Sequence, residues 1–297
     1  MISPCFRHVS IVALLAASVV MGFSQDTMKA RRDTLKTGRD TLRTIDTTAA
    51  VADTSAKRFS YRTMSNSAFS VGERLIFDVN FGFVTAGEAI MEVAGYDYHK
   101  ERQCYRIQFQ VRSLPFFSTF YKVEDWYLTL MDVEGLFPWR FEQHIREGGY
   151  RRDFMAEFDH ENGLAITTDG KDYPIPTYVH DIVSAFYFTR TLDFTGFRVG
   201  QKVYLQNFYK DSTYNLEIKY RGKQTVKVEA GTFRCIIVEP LVERGGLFKS
   251  EGSILVWLTD DEKRLPVQVS SKIIIGSITA ELREYYGISS PIRARVE

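Results

Sequence analysis

The chain has 297 residues, with 38 Lys and Arg against 37 Asp and Glu, a formal net charge of +1 at pH 7. Residues 25–68 carry a balance of +4 and the rest of the chain beyond them −4, neither of which is the strong basic excess that marks a nucleic-acid binder. Aromatic residues make up 14% of the chain, a density that suits either a large core or an apolar ligand site.

Residues 1–24 read as a signal peptide: Arg7 and His8, an apolar run from Val9 to Val20, then the small residues Gly22 and Ser24. Cleavage is predicted after Ser24. The apolar run is short for a membrane span of ~20 residues, so the exported, periplasmic protein is expected to have no membrane span after cleavage. Cys5 precedes the run and cannot be the lipid-bearing cysteine of a lipoprotein. Between residues 25 and 68 Asp-Thr recurs at 26–27, 33–34, 40–41, 46–47 and 53–54. Each unit offers one apolar residue at most (Met28, Leu35, Leu42) where a coiled-coil seam needs two, so the stretch is predicted to be a disordered linker. Around Thr27, Thr34, Thr41 and Thr47 it resembles the Asp-Thr/Ser-apolar-or-Thr acceptor of general O-glycosylation in Bacteroidota, which implies a glycosylated stalk.

From residue 69 to 286 apolar residues alternate. Leu75, Phe77, Val79 and Phe81 share one face; Tyr105, Ile107, Phe109 and Val111 alternate with Arg106, Gln108, Gln110 and Arg112. Further strands are predicted near 84–95, 120–132, 137–147, 150–159, 164–168, 201–209, 213–220, 224–229, 233–242, 252–259, 265–275 and 277–286. Turns such as 160–163 and 260–263 join them. The alternation stops from His180 to Thr191, where Asp181 can cap a helix. The fold class is therefore mainly β: a single antiparallel β-domain, residues 69–286, of about 12–14 strands, with a curved sheet forming an open or closed barrel and one inserted α-helix near 180–191. Residues 287–297 form a C-terminal tail. Cys104 and Cys235 both sit in apolar strand patterns, and their pairing stays open.

Catalytic and metal chemistry finds little support. His99, His144, His160 and His180 each stand alone, with no His-Glu-x-x-His, Cys-x-x-Cys or Asp-rich calcium loop, so neither metal nor cofactor is expected. There is no Gly-x-Ser-x-Gly, and Gly82 to Gly87 lacks the Lys-Ser/Thr of a phosphate loop. His180, Asp181 and Ser184 share one helix turn and do not converge as a triad must. Glu124 and Asp125, beside Trp126, point to opposite faces of a strand. The protein is expected to be a non-enzymatic scaffold or binding protein, holding a lipid or other apolar envelope molecule in a β-lined cavity. Phe116, Phe117, Phe120, Trp126, Phe186 and Phe188 are the candidate contacts. The alternative is a structural or assembly factor that contacts other envelope proteins and has no small ligand.

Several stretches in order, Val71-Gly72-Glu73-Arg74-Leu75, Ala86-Gly87-Glu88-Ala89, His180 to Tyr187, Ala230-Gly231-Thr232-Phe233, Trp257 to Asp261 and Arg264 to Val267, resemble the family called domain of unknown function 3108. The resemblance implies an exported, mostly β bacterial protein and supplies no activity. The layout is also similar to the open half-barrels of periplasmic lipoprotein carriers, an analogy of fold alone. Physical roles for Gly72, Glu73, Gly87, Asp181, Ser184, Asp260, Asp261 and Arg264 are those of a scaffold: turns, close backbone approach, capping and ion pairing.

Overall fold

The computed structural model describes residues 59–244, 247–248, 254–272 and 276–296. The expected signal peptide, the linker as far as 58 with Thr27, Thr34, Thr41 and Thr47, and residues 252–253 and 273–275 of two expected strands lie outside the described residues.

The alternating segments become β1 (Arg74–Phe81), β2 (Val84–His99), β3 (Arg102–Ser113), β4 (Glu124–Asp132), β5 (Pro138–Glu147), β6 (Tyr150–Asp159), β7 (Leu164–Thr167) and β8 (Asp172–Pro174). After the helix come β9 (Lys202–Tyr209), β10 (Ser212–Val228), β11 (Gly231–Arg244), β12 (Leu247–Phe248), β13 (Ile254–Thr259), β14 (Pro266–Lys272) and β15 (Ser277–Tyr286). Two helices interrupt them, α1 (Pro115–Ser118) and α2 (Ile182–Arg190). The segments expected as separate strands at 213–220 and 224–229 are one strand, β10, whose register against β11 shifts between Tyr220 and Gly222. A bulge bends a strand without ending it, which is why the alternation broke there.

Among the described residues all strand–strand pairings are antiparallel, and an isolated parallel bridge joins His180 to Asn207. The sheet is 15-stranded and its order runs β8-β7-β6-β5-β4-β3-β2-β1-β15-β14-β13-β11-β10-β9, with β12 added beside β11. The ladder ends at β8 and β9, so the sheet curves without closing into a barrel. Its two margins nevertheless approach. Arg152 Nη1 of β6 donates to Tyr209 Oη of β9 at 2.8 Å. Phe208 lies 5.9 Å from Phe158 and 6.1 Å from Tyr173, ring centre to ring centre. Neither margin offers a long bare edge. β8 is three residues ending in Pro174, and β9 is covered by His180, whose N–H donates to Gln206 O and whose carbonyl accepts from Phe208 N.

One face of every strand but β12 contributes to a common core that also takes in α2. The helix is bracketed by β4 and β9. Seven of its nine residues are buried, so it fills the hollow of the curved sheet. Two smaller apolar clusters occupy the other face. One, around Cys104, Leu128, Leu130, Phe137 and Trp139, is covered by Tyr61; the other, around Phe233, Cys235, Trp257 and Val267, is covered by Ile292. The folded chain therefore extends beyond 69–286 at both ends, and Ala294 is fully buried. Cys104 and Cys235 are free buried thiols in separate clusters, each pushed up to about 12 by burial.

Gly87 shows why a small residue is needed in β2. A Cβ there would stand 2.7 Å from Arg112 O of the paired strand. Gly72 instead supplies a backbone turn at φ +93° before β1.

Candidate functional site

An antiparallel meander sends its turns alternately to two ends. At one end the β1–β2 turn, the α1 connection between β3 and β4, and the β5–β6 turn lie side by side. Gly82 N donates to Ser277 O, Leu114 N to Ala86 O and Gly148 N to Lys122 O. Pro115 starts α1, and Ser118 Oγ, 2.7 Å from Ser113 Oγ, ties it back to β3. α1 buries none of its residues. The outcome is a rim of exposed rings: Phe83 at 108% of full exposure, Phe116 at 70% and Phe120 at 73%, with Phe81 and Val84 also exposed. Phe116 stacks edge-on with Phe117 and Phe120 at 5.4 and 5.5 Å. Exposed rings gathered on neighbouring turns of a folded protein are the kind of surface that makes contacts. Lys122, Arg151 and Lys272 are exposed around it, with Glu124 beside Lys122 at 2.7 Å.

Directly beneath the rim is a buried polar group. On β4 the side chains of Asp125 and Tyr127 point inward, and Tyr127 pairs with Gln143 of β5. Glu147, at the end of β5, bridges to Val123. Asp125 and Gln143 are 3% and 1% exposed, Glu147 4%. Asp125 Oδ1 accepts from Arg146 N at 2.7 Å. Burial, and then the neighbouring Glu147 carboxyl within hydrogen-bonding reach, push the Asp125 carboxyl up to about 8. Asp125 Oδ2, Tyr127 Oη and Gln143 Oε1 have no hydrogen-bond partner. Tyr121, at the base of the α1 connection, is pushed up to about 12 by burial and by the two carboxyls. The alternation separates Glu124 from Asp125 as expected, one to solvent and one to the interior.

His180, Asp181 and Ser184 form a helix cap. Asp181 Oδ1 accepts from Val183 N, Ser184 N and Thr129 Oγ1, while Asp181 N donates to Ser184 Oγ. His180 Nδ1 lies 3.3 Å from Ser184 Oγ, and its full burial holds the imidazole well below its ordinary range. The far end of α2 is pinned by Arg190, which meets both oxygens of Glu73 at 2.6 and 2.8 Å and also donates to Ala68 O and Lys263 O. Asp261 accepts from Thr259 Oγ1, Lys263 N and Ala294 N. Arg264 bonds the Asp261 carbonyl, and Asp260 pairs with Lys223 at 2.6 Å.

The six aromatic residues singled out in the sequence occupy three places. Phe116, Phe117 and Phe120 form part of the rim. Trp126 lies on the opposite face of β4 from α2, against His144 and the Cys104 cluster. Phe186 and Phe188 pack inside on α2. Phe81, Phe83 and Val84 complete the rim and were not singled out. Their signal was available, because an apolar Phe-Gly-Phe-Val run stands where a hairpin turn calls for polar residues. Gln143 and Glu147 carried no local signal. Among the described residues no group of three or more His, Cys, Asp or Glu side chains is placed to hold a metal, and no helix is long and apolar enough to cross a membrane.

A family model described as "Protein of unknown function (DUF3108)" matches residues 76–283. No curated protein matches the chain. Among solved structures, a β-barrel-like protein of domain of unknown function DUF1849 from Brucella abortus is similar at 9% identity and a TM-score of 0.45, over 76% of this chain and 99% of that one. A protein from Parabacteroides distasonis provisionally classed as a lipoprotein is similar at 11% identity and a TM-score of 0.31, over 76% of this chain and all of that one. A protein from Bacteroides fragilis with a YmcC-like fold, provisionally classed as exported, is similar at 9% identity and a TM-score of 0.28, over 76% of this chain and 99% of that one.

Proposed function

The chain belongs to the DUF3108 family, whose function is unknown, and from that premise we propose that it is a non-enzymatic exported scaffold that docks on anionic lipid surfaces of the cell envelope through its aromatic rim. The observation that carries the reading is the exposure of Phe83, Phe116 and Phe120 on neighbouring turns at one end of the sheet. Rings held in water on tightly tied turns gain most by entering an apolar phase, about 1.5–3 kcal/mol for each side chain fully buried. The exposed cations Lys122, Arg151 and Lys272 suit acidic headgroups. The signal-like sequence of residues 1–24 supports export. The interior favours an outer surface over a lumen as the place of contact, since α2 fills the hollow of the sheet. His180, Asp181 and Ser184, which have nucleophile and base side chains, serve the cap of α2.

Vesicle co-sedimentation tests the reading. The exported protein should sediment with phosphatidylcholine vesicles that contain phosphatidylglycerol, and less with phosphatidylcholine alone. Changing Phe83, Phe116 or Phe120 to Asp should weaken binding about tenfold or more for each ring that inserts. A triple variant that sediments like the unmodified protein would sink the proposal.

A further inference from the structure

We propose that Asp125 and Glu147 form a proton-sharing latch that ties the α1 connection down on the β5–β6 turn, so that loss of the shared proton loosens the support of Phe116 and Phe120 and weakens docking. It rests on the docking reading above and adds regulation of that same rim. The paired ladder of β4 and β5 ends at Trp126 and His144. Beyond that point three separate ties hold the two chains together. Arg146 N donates to Asp125 Oδ1 at 2.7 Å, Val123 bridges to Glu147, and Gly148 N donates to Lys122 O at 2.8 Å. The Tyr121 ring lies directly on this turn, since a Cβ at Gly148 would stand 2.8 Å from its Cε2. Two of the three ties run through Asp125 or Glu147, at the base of the segment that carries the rings.

A missing donor locates the proton. Asp125 is buried and no N–H or O–H donates to its Oδ2, yet the Glu147 carboxyl is within hydrogen-bonding reach. Buried polar atoms are nearly always partnered. Two carboxylates cannot bond each other, but one proton between them supplies the donor that Oδ2 lacks, and burial favours the neutral form. The proton belongs to Asp125, whose carboxyl is pushed up to about 8 by burial and by Glu147. Glu147 acts as the acceptor, a role that a further partner does not disturb. When the proton leaves, two like charges face each other in a buried place and push their strands apart. The groups around the pair do not change charge with it. Burial pushes the phenols of Tyr121, Tyr127 and Tyr209 up, and Gln143 is neutral. On β3 the apolar Val111 stands opposite Asp125, while Arg112 turns to Glu88. Arg146 turns outward to Asp153, and Arg152 of β6 is directed to Tyr209 Oη of β9. Tyr150, opposite Glu147, is exposed, and Lys122 pairs with Glu124 outside. The nearest carboxyl of α2, Asp181, bonds Thr129 further along β4 and is pushed up only to about 6.

Docking and latch are measured separately. Sedimentation of the exported protein with phosphatidylcholine–phosphatidylglycerol vesicles is followed from pH 7 to 9, a range in which the phosphatidylglycerol charge is constant. If the protonated pair is the docking-competent form, apparent affinity follows its population and falls about tenfold over that range. Asp125→Asn and Glu147→Gln each place an amide N–H where the proton stood. Either variant should keep its affinity within about twofold from pH 7 to 9, and the second serves where the first fails to fold. Without vesicles, hydrogen exchange should show protection of the Arg146 and Gly148 amides, corrected for the intrinsic rate, falling severalfold in the unmodified protein and staying constant in the variants. Sedimentation whose pH dependence survives both substitutions overturns the latch, as does constant protection of both amides in the unmodified protein. No sedimentation even at pH 7 overturns the docking reading and this regulation with it, a result distinct from docking that ignores pH.

Discussion

Asp125 keeps its proton to a higher pH than an exposed aspartate because its carboxyl is buried and faces Glu147. The folded value of about 8 lies above the ordinary 3.8. The folded chain therefore binds more protons than the unfolded one across that window. The stability this contributes is complete below about pH 4 and is lost as pH rises through 8. Asp181, pushed up to about 6 by burial, acts in the same direction over a shorter range. Other groups oppose them at lower pH. Burial holds His160 down to about 4 and His180 well below its ordinary range, while Arg102 and the other donors around Asp132, and Arg283 and Arg112 around Glu88, outweigh burial and lower those two carboxyls. Each of these contributes stability that is lost as pH falls. From pH 6.5 to 8 the lowered carboxylates have finished titrating, while the histidines lose their last protons in the unfolded chain and offset part of the loss at Asp125. The unfolding free energy is expected to fall by about 0.5–1 kcal/mol over that interval, and Asp125→Asn should abolish or reverse the fall. Urea titrations at a series of pH values measure it; an equal slope in the variant would refute the assignment.

At the scale of elements, α2 shows what a sequence can and cannot disclose. Its position was legible because alternation with period two stops at Ile182-Val183 and an aspartate stands before the first turn. Its C-terminal anchor was not, because Glu73 lies 117 residues away and only the tertiary fold brings it to Arg190. The same limit applies to α1, whose four residues are too few for any period to show. Both members of the Arg190–Glu73 pair are at most 2% exposed, and their geometry is bidentate. Removing one partner leaves a charge buried without its counterion, a loss that exceeds the net worth of the pair. Arg190→Met should therefore cost about 3–5 kcal/mol, and the double variant Arg190→Met with Glu73→Leu should recover much of it. A double-mutant cycle by urea unfolding decides the point. A single-variant loss below about 1 kcal/mol would mean that the pair does not pin the helix.

Over the whole molecule, the curved sheet separates what holds the fold from what is presented outside it. Most of the strands and their antiparallel order followed from alternation and short turns, and so did curvature, since so many strands rarely stay flat; β8 and β12, of three and two residues, are too short for alternation to show. The buried carboxyl pair could not be read in this way. Asp125 and Glu147 belong to different strands, and the sequence near Asp125 shows only its neighbour Glu124, which faces solvent. The margins of the sheet rest on Phe208, which is 2% exposed between Phe158 and Tyr173, and on the Arg152–Tyr209 bond. Phe208→Ala would leave a cavity where β9 meets the opposite margin, at a cost of about 3–5 kcal/mol. The rim residues Phe83, Phe116 and Phe120 support no such contact, and their replacement by Asp should change stability by no more than about 0.5 kcal/mol each. Paired measurements on the two kinds of variant test this division. Phe208→Ala should unfold at lower urea yet still sediment with anionic vesicles while folded, and the rim triple variant should do the reverse. If the triple variant lost stability as Phe208→Ala does, the exposed rings would belong to the core of the fold, and the rim could not serve as a free docking surface.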